Sequence, residues 1–543
     1  MHPQARVWGA SWWEVAVPQL DAIKEAGPTG SGHAGEMETS LMLALRPDLV
    51  LTDRLHADGF WPESEYRDRV TRFMRIDEGS ERGHVGDPTV ASAEKNERML
   101  SAIVDSLIEV VEAYRAISRI RTGRTAEVVM KVTEIEVHRI TLPYVDWISY
   151  QLNHYYGPIS RTIYVAHTDD GLVGLGESHN TEPQEAIDGY IGTNPFDHLG
   201  DEVSLGLGTA MYDLMGKAAG VPVYKLIGQK YRSWVPVGSW TVSTHPERMA
   251  EAVREYSARG YTWLKFHLSP FENVIDQTEA MQAVAPAGFK VHYDFTMHGT
   301  DDHMLELLHK LARYPLAGCF EDALPAQDLP GYIELRQRSP LPVVLHHCPL
   351  GATYEVLMGA ADVYMLGHAR IGDAIRRAGL FAAGNIPFML QNVGGNITRA
   401  MTCQMMAAFP SANFHFFSDC ETWSADVVDE RPEPTNGFLR VSEGPGLGVT
   451  LNRGELERLA GLQLPEQPKW IIKSRFENGT RMYNIADPQE SIFMVRPDRR
   501  RMIPMSYDAP IETQYWDDDG TPEYRAMFER LEREGMVMEP EPA

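Results

Sequence analysis

Cysteine is scarce: the 543 residues contain four, Cys319, Cys348, Cys403 and Cys420. No two of them form a CxxC pair. A small secreted disulfide framework is thereby excluded, and reduced, packed thiols in the cytosol are expected rather than nucleophiles. Positive charge is also short, with 50 Lys and Arg against 76 Asp and Glu and a net charge of −26. That balance disfavours phosphate backbones and anionic membranes, so neither nucleic acid nor membrane is an expected partner. No apolar run is long enough to span a bilayer, and the opening MHPQARVWGA has no basic-then-apolar signal pattern. A cytoplasmic homo-oligomer of two to four domains per chain is expected.

What the chain does have is a rhythm. Short apolar runs at 262–268, 290–295, 318–324 and 342–347 are separated by helix-length segments, the pattern of repeated βα units. Each run ends on chemistry: Lys265 and His267, then Asp294, then Glu321, then His346 and His347. In a TIM barrel the loops at the C-terminal strand ends converge on one mouth above a packed interior, so these residues define one metal-assisted site. Candidate strands begin near Val235, Trp263, Val291, Cys319, Val343, Val363, Phe388 and Phe414, with 246–258 and 371–383 patterned as helices. Eight strands suit a closed barrel over 233–464. A doubly wound sheet is the alternative host for such units.

Other segments flank the barrel. Residues 1–117 open on Trp8, Trp12 and Trp13 and close on a helix whose Leu100, Ile103, Leu107, Val110 or Val111, and Tyr114 recur at helical spacing, with Ser92 as cap. That face is expected to dock on the segment's own core. The basic stretch 118–129 reads as a linker. Residues 130–232 read as an α+β segment, with strands near 130–135 and 161–167 and a helix stopped by Gly220 and Pro222. Residues 465–543, with the basic run 496–501, read as an accessory tail without a core of its own. Its arginines suit a solvated or intersubunit role.

Two resemblances follow from particular motifs. Thr168-Asp169-Asp170-Gly171, Gly174-Leu175-Gly176-Glu177 and the run from Gly208 to Tyr224 resemble the capping domain of the mandelate racemase and muconate lactonizing branch of the enolase superfamily, over about 130–460. The motif His33-Ala34-Gly35-Glu36-Met37-Glu38-Thr39-Ser40, with Gly86-Asp87-Pro88 and Ala91 to Lys95, resembles the second half of creatinine amidohydrolases, over about 8–117. This α/β segment lacks the family's earlier acidic and histidine motif. Glu36 then stands as a vestigial metal candidate within a fusion protein.

The enolase-type resemblance implies a modified (β/α)7β barrel under an α+β cap, and proton abstraction next to a carboxylate on a divalent cation. Asp294 and Glu321 match the first two metal-ligand positions. The third position, commonly an acid, is offered here by His346 or His347. The metal implied by resemblance is magnesium, while imidazole opens manganese, zinc, iron or nickel. Lys265 and His267 occupy a position where relatives carry Lys-x-Lys, and both are base candidates. His267 needs less tuning to act near neutrality, with Lys265 then orienting the substrate carboxylate. The histidine and acid used by many relatives on the seventh and sixth strands are replaced by Gln391 and Gly367. Gln391 cannot relay a proton, so one-sided abstraction is expected. The implied activity is that of a lyase or isomerase dehydrating or epimerising a small hydroxy acid, with Tyr155 and Gln391 binding substrate. A depleted barrel kept for binding or assembly, and amidohydrolase function in the N-terminal segment, are the alternatives.

Overall fold

The computed structural model describes residues 15–26, 33–58, 86–122, 130–296, 301–347, 351, 353–488 and 507–540. The expectations placed on Trp8, Trp12, Trp13, Cys348, residues 123–129 and the run 496–501 lie outside these residues. The chain divides into two compact units, Met1–Val128 and Val129–Ala543.

In the first unit, helices α1 (Val17–Ile23), α2 (Glu36–Leu45) and α3 (Ala93–Thr122) enclose a small core of Ala16, Leu20, Met99 and Ile103. Ser92 Oγ accepts the Lys95 N–H at 3.2 Å, as its sequence position predicts. The expected apolar face is corrected: Ile103 is buried, while the side chain of Tyr114 lies outside the described residues. Leu100, Leu107, Val110 and Val111 are exposed among the described residues. The cause is Lys95, whose ammonium turns inward to Glu36 at 2.7 Å. The buried stripe therefore runs through Lys95, Met99, Ile103 and Ser106, at the spacing of one helix face.

The second unit begins with the cap. Strands β1 (Val132–Leu142), β2 (Ile159–Thr168) and β3 (Val173–Ser178) form an antiparallel sheet in the order β1-β2-β3, with helix α4 (Asp146–Tyr156) between the first two. Helix α5 (Leu205–Ala219) lies on this sheet and ends at Gly220, which is left-handed at φ 66°. The glycines of the Gly174-Leu175-Gly176-Glu177 motif have a packing role. A Cβ on Gly176 would run into the carbonyl of Gly206, so the bare strand lets α5 approach its backbone.

Eight parallel strands follow: β4 (Ser239–Val242), β5 (Trp263–His267), β6 (Lys290–Asp294), β7 (Ala317–Glu321), β8 (Val343–Leu345), β9 (Val363–Gly367), β10 (Phe388–Gly394) and β11 (Phe417–Asp419). The parallel bridge Val237↔Phe416 joins the last strand to the approach of the first and closes the barrel. Helices α6 (Pro246–Ala258), between β4 and β5, and α7 (Ile371–Ala383), between β9 and β10, match the sequence expectation. One strand start is corrected: Trp234–Pro236, counted as the first barrel strand, pairs instead with Phe438–Arg440. Strand alternation separates two cores. Inward residues Cys319, Val344, Val363, Met365, Met389 and Phe417 fill the barrel, while Leu264, Phe266, Tyr293, Phe320 and Leu345 pack outward in the large main core.

The C-terminal region is a further correction. Residues 465–543 include the antiparallel strands β12 (Trp470–Phe476), β13 (Arg481–Ala486), β14 (Ile511–Trp516) and β15 (Met536–Glu539), with helix α8 (Pro522–Glu534) before the last. Ile471, Tyr483, Tyr524, Leu531 and Val537 make a separate apolar cluster there. Alternation in short strands with charged outer faces is a weak sequence signal, which is why the core was not legible. This sheet reaches the barrel and cap: Tyr507 donates to the Phe295 carbonyl at 2.8 Å, and Asp517 accepts from Tyr150 at 2.8 Å and meets His154 at 2.6 Å.

Candidate active site

Consecutive barrel strands meet at a buried charge cluster. Lys265 Nζ lies 2.7 Å from Glu321 Oε1, 2.6 Å from Oε2 and 3.0 Å from Asp294 Oδ2, and all three side chains are buried. His346 Nδ1 is 3.0 Å from Glu321 Oε1. His292 Nε2 is 2.7 Å from Glu321 Oε2, although poorly aligned for a hydrogen bond, and its Nδ1 is 3.0 Å from His415 Nε2. Burial and mutual repulsion raise the pKa of Asp294, but Lys265 and His267 outweigh them and hold it below the usual carboxylate range. Burial also acts against ionisation of Glu321, and Lys265, His292 and His346 overcome it. Burial would lower Lys265, yet the two carboxylates raise it above an ordinary lysine. The two carboxylates thus favour the protonated ammonium at Lys265.

His267 differs from its neighbour on the strand face. Its Nε2 is 3.2 Å from Asp294 Oδ2, and its Nδ1 is 3.3 Å from the Tyr155 hydroxyl. The ring meets Trp240 edge-on at 5.2 Å. A carboxylate beside one nitrogen and a phenol beside the other fix the orientation of the ring. Above it lies a cavity of about 920 Å³ lined by His267, Asp294, His346, Gln391 and Asp419 from the barrel and by Tyr144, Tyr156 and Arg161 from the cap. Lys265 and Glu321 sit beneath its floor. Tyr155, expected at the substrate, is buried behind His267, and its neighbour Tyr156 lines the cavity instead. Gln391 Oε1 and Asp419 Oδ1 are buried without a hydrogen-bond partner among the described residues. Buried polar atoms are rarely left so, and here they border a ligand-sized space.

The two fifth-strand histidines separate. His346 turns inward, and a Cβ on Gly367 would collide with its Nε2. The imidazole therefore fills room that a side chain on the sixth strand would need, which accounts for glycine there. His347 is half exposed, and its Nδ1 pairs with the buried Asp322. Burial lowers His347, but Asp322 raises it above the usual histidine value. Donor atoms of Asp322, His346 and His347 lie within 4.8 Å of one another. Lys265 shows that the Asp294 and Glu321 carboxylates converge on one point and tolerate a cation there. Carboxylate and imidazole donors thus fit a divalent ion.

Three neighbours escaped the sequence reading. His292 lies two residues before Asp294, on the same strand face. Asp322 follows Glu321 and adopts φ 46°. Asp419 ends the eighth strand as Asp294 ends the third, and its signal was the same strand-end acid. Burial, assisted by the charge of Glu421, pushes its pKa up to about 8. In the first unit, Glu36 is satisfied by Lys95 at 2.7 Å and by the amides of Glu25 and Ala26 at 2.9 and 2.8 Å. That is the environment of a structural ion pair.

Comparison with known proteins agrees with this architecture. Residues 248–455 match the enolase C-terminal domain-like family, and residues 2–111 match creatinine amidohydrolase. Cis-3-hydroxy-L-proline dehydratase of Roseibium aggregatum is 25% identical over 59% of this chain and 96% of that enzyme. D-gluconate dehydratase of Thermoproteus tenax is 26% identical over 49% of this chain, and the match spans 58% of that enzyme. N-succinyl-L-Arg/Lys racemase of Bacillus cereus is 24% identical over 62% of this chain and 99% of that enzyme. Among solved structures, muconate lactonizing enzyme from Pseudomonas fluorescens superposes with a TM-score of 0.53 at 20% identity, covering 61% of this chain and 99% of that one. Residues 248–455 are thus similar to the enolase C-terminal domain-like family, and the N-terminal segment to creatinine amidohydrolase. These relatives are named as dehydratases and a racemase. Members of the enolase superfamily bind a divalent metal. Among the described residues no helix is long and apolar enough to cross a membrane.

Proposed function

We propose that the barrel dehydrates a small hydroxy acid, with His267 removing the proton next to the substrate carboxylate. The observation that carries the reading is the contrast at 265 and 267: the ammonium is locked beneath the floor by two carboxylates, while the imidazole faces the cavity. His267 takes the α-proton, and Asp294 beside its Nε2 stabilises the resulting imidazolium. Asp419, protonated near neutrality, then gives a proton to the departing β-hydroxyl. The α-C–H and β-C–O bonds break, water leaves, and the enol product becomes a 2-keto acid. Gln391 orients the substrate through its unpaired oxygen.

Asp294, Glu321 and His346 would hold the divalent ion, with Asp322 and His347 as an adjoining donor pair. Such an ion supplies positive charge where negative charge builds on the substrate carboxylate. The two imidazoles favour manganese, zinc, iron or nickel over magnesium. Lys265 keeps both acids ionised and adds a fixed positive charge. Asp294→Asn and Glu321→Gln test the assignment: each is expected to lose most bound metal while keeping its circular dichroism spectrum. Wild-type metal content in both variants would overturn it.

A further inference from the structure

The chemistry proposed above occupies the barrel side of the cavity and leaves the cap side without a role. That side is basic. Arg139 on β1 pairs in register with Thr162, which pairs with Ser178, and His179 follows, so Arg139 and His179 lie at one end of the cap sheet. His368 and Arg377 face the same cavity from the barrel. Arg161 is already engaged by Glu177 at 2.9 Å, and Arg377 shares Asp373 at 3.1 Å. Arg139 has no carboxylate partner among the described residues.

The acids lining the cavity among the described residues are Asp294 and Asp419, both on the barrel floor. Asp294 is committed to Lys265 and His267, and Asp419 holds its proton at neutrality, so neither compensates the cap side. The two histidines register this field. Burial, then Arg161 and Arg139, lower the proton affinity of His179. Burial, then Arg161, His346 and His179, bring His368 down to about 4. A concentration of positive charge facing one cavity, in a chain of net charge −26, calls for an anion.

We propose that this wall receives a second anionic group on the substrate, held at its far end by Arg139 and Arg377 with Asn180 as a neutral donor. The inference rests on the α-proton reading of the barrel floor, which places the first carboxylate beside His267. Guanidinium groups present paired donors that suit a carboxylate or a phosphate. A neutral polyhydroxy end would leave the charge of Arg139 uncompensated.

Calorimetry on the full-length chain carrying His267→Asn, supplied with divalent metal, measures binding without turnover. The probes are gluconate, glucarate and 6-phosphogluconate, with galactonate and galactarate as a second series. In at least one series the doubly charged acid is expected to bind about 30-fold more tightly than its singly charged parent, within the range of one or two charge-assisted hydrogen bonds. Adding Arg139→Ala and Arg377→Ala is expected to abolish that preference and leave the singly charged acid unchanged. Preference for glucarate identifies a carboxylate, and preference for 6-phosphogluconate a phosphate. Equal affinities, no binding of any doubly charged acid, or a preference that survives both substitutions overturns the proposal. Failure of the floor reading registers separately, as absence of solvent deuterium at the α-carbon when the wild-type enzyme is given an acid that binds.

Discussion

Replacing Lys265 by methionine probes the centre of the cluster. The methionine fills most of the lysine volume, so the main loss is the charge that touches Glu321 at 2.6 Å and Asp294 at 3.0 Å. Breaking a buried ion pair by removing one partner costs about 3–5 kcal/mol, a large part of the roughly 5–15 kcal/mol that stabilises a typical domain. The pH dependence separates this cause from a packing defect. In the wild type both carboxyls sit below their unfolded values, so their contribution is present above the unfolded pKa and is lost only in strong acid. Without Lys265 the two acids cannot both ionise easily, and one shifts above its unfolded value. The native state then binds a proton that the unfolded chain lacks. Stability of the variant is therefore expected to rise as pH falls from 8 to 5, by at most about 1.4 kcal/mol per pH unit. Urea unfolding of metal-free protein at several pH values reads this directly. A variant within about 1 kcal/mol of wild type at pH 8, or one whose deficit does not change with pH, would refute the charge argument.

Asp419→Asn should lower turnover about a hundredfold, the range for a lost general acid. It should also remove the alkaline limb by which wild-type activity declines as pH rises through about 8. For stability the sign is opposite to that of a salt-bridged acid. Asp419 binds a proton that the unfolded chain has lost, so its contribution falls as pH rises from the ordinary aspartate value towards about 8, and Asp419→Asn should flatten that slope in urea titrations. Gly367→Ala should displace His346 and cost about 1–3 kcal/mol, whereas adding it to His346→Ala should cost much less, because the colliding imidazole is gone. Additive unfolding energies in that double-mutant cycle would contradict the account of the glycine.

The barrel was legible because its strands carry two signals at once, an apolar run and a reactive residue at the end. Helices Pro246–Ala258 and Ile371–Ala383 fell where periodicity placed them. The choice between His346 and His347 was not legible, since it depends on which residue continues the inward parity of Val344 as the strand ends. Nor did the sequence indicate that Lys265 would sink beneath the floor, which follows from Asp294 and Glu321 converging across two neighbouring strands. Asp419 was missed because the last strand is short and its acid stands alone. The helix Ala93–Thr122 misled through a sound pattern: its apolar face exists, but the Lys95–Glu36 pair turns another face inward.

The reading turns on a proton removed and returned from one side by His267. Sixth- and seventh-strand positions that would serve the other side are Gly367 and Gln391. The most direct measurement incubates the metal-loaded enzyme in deuterated water with a 2-hydroxy acid that binds but has no β-leaving group, and follows its α-carbon by NMR and chiral chromatography. Deuterium should enter with retained configuration, and His267→Asn should slow its entry at least about a hundredfold. Racemisation as fast as exchange, or exchange undiminished in the variant, would contradict the account.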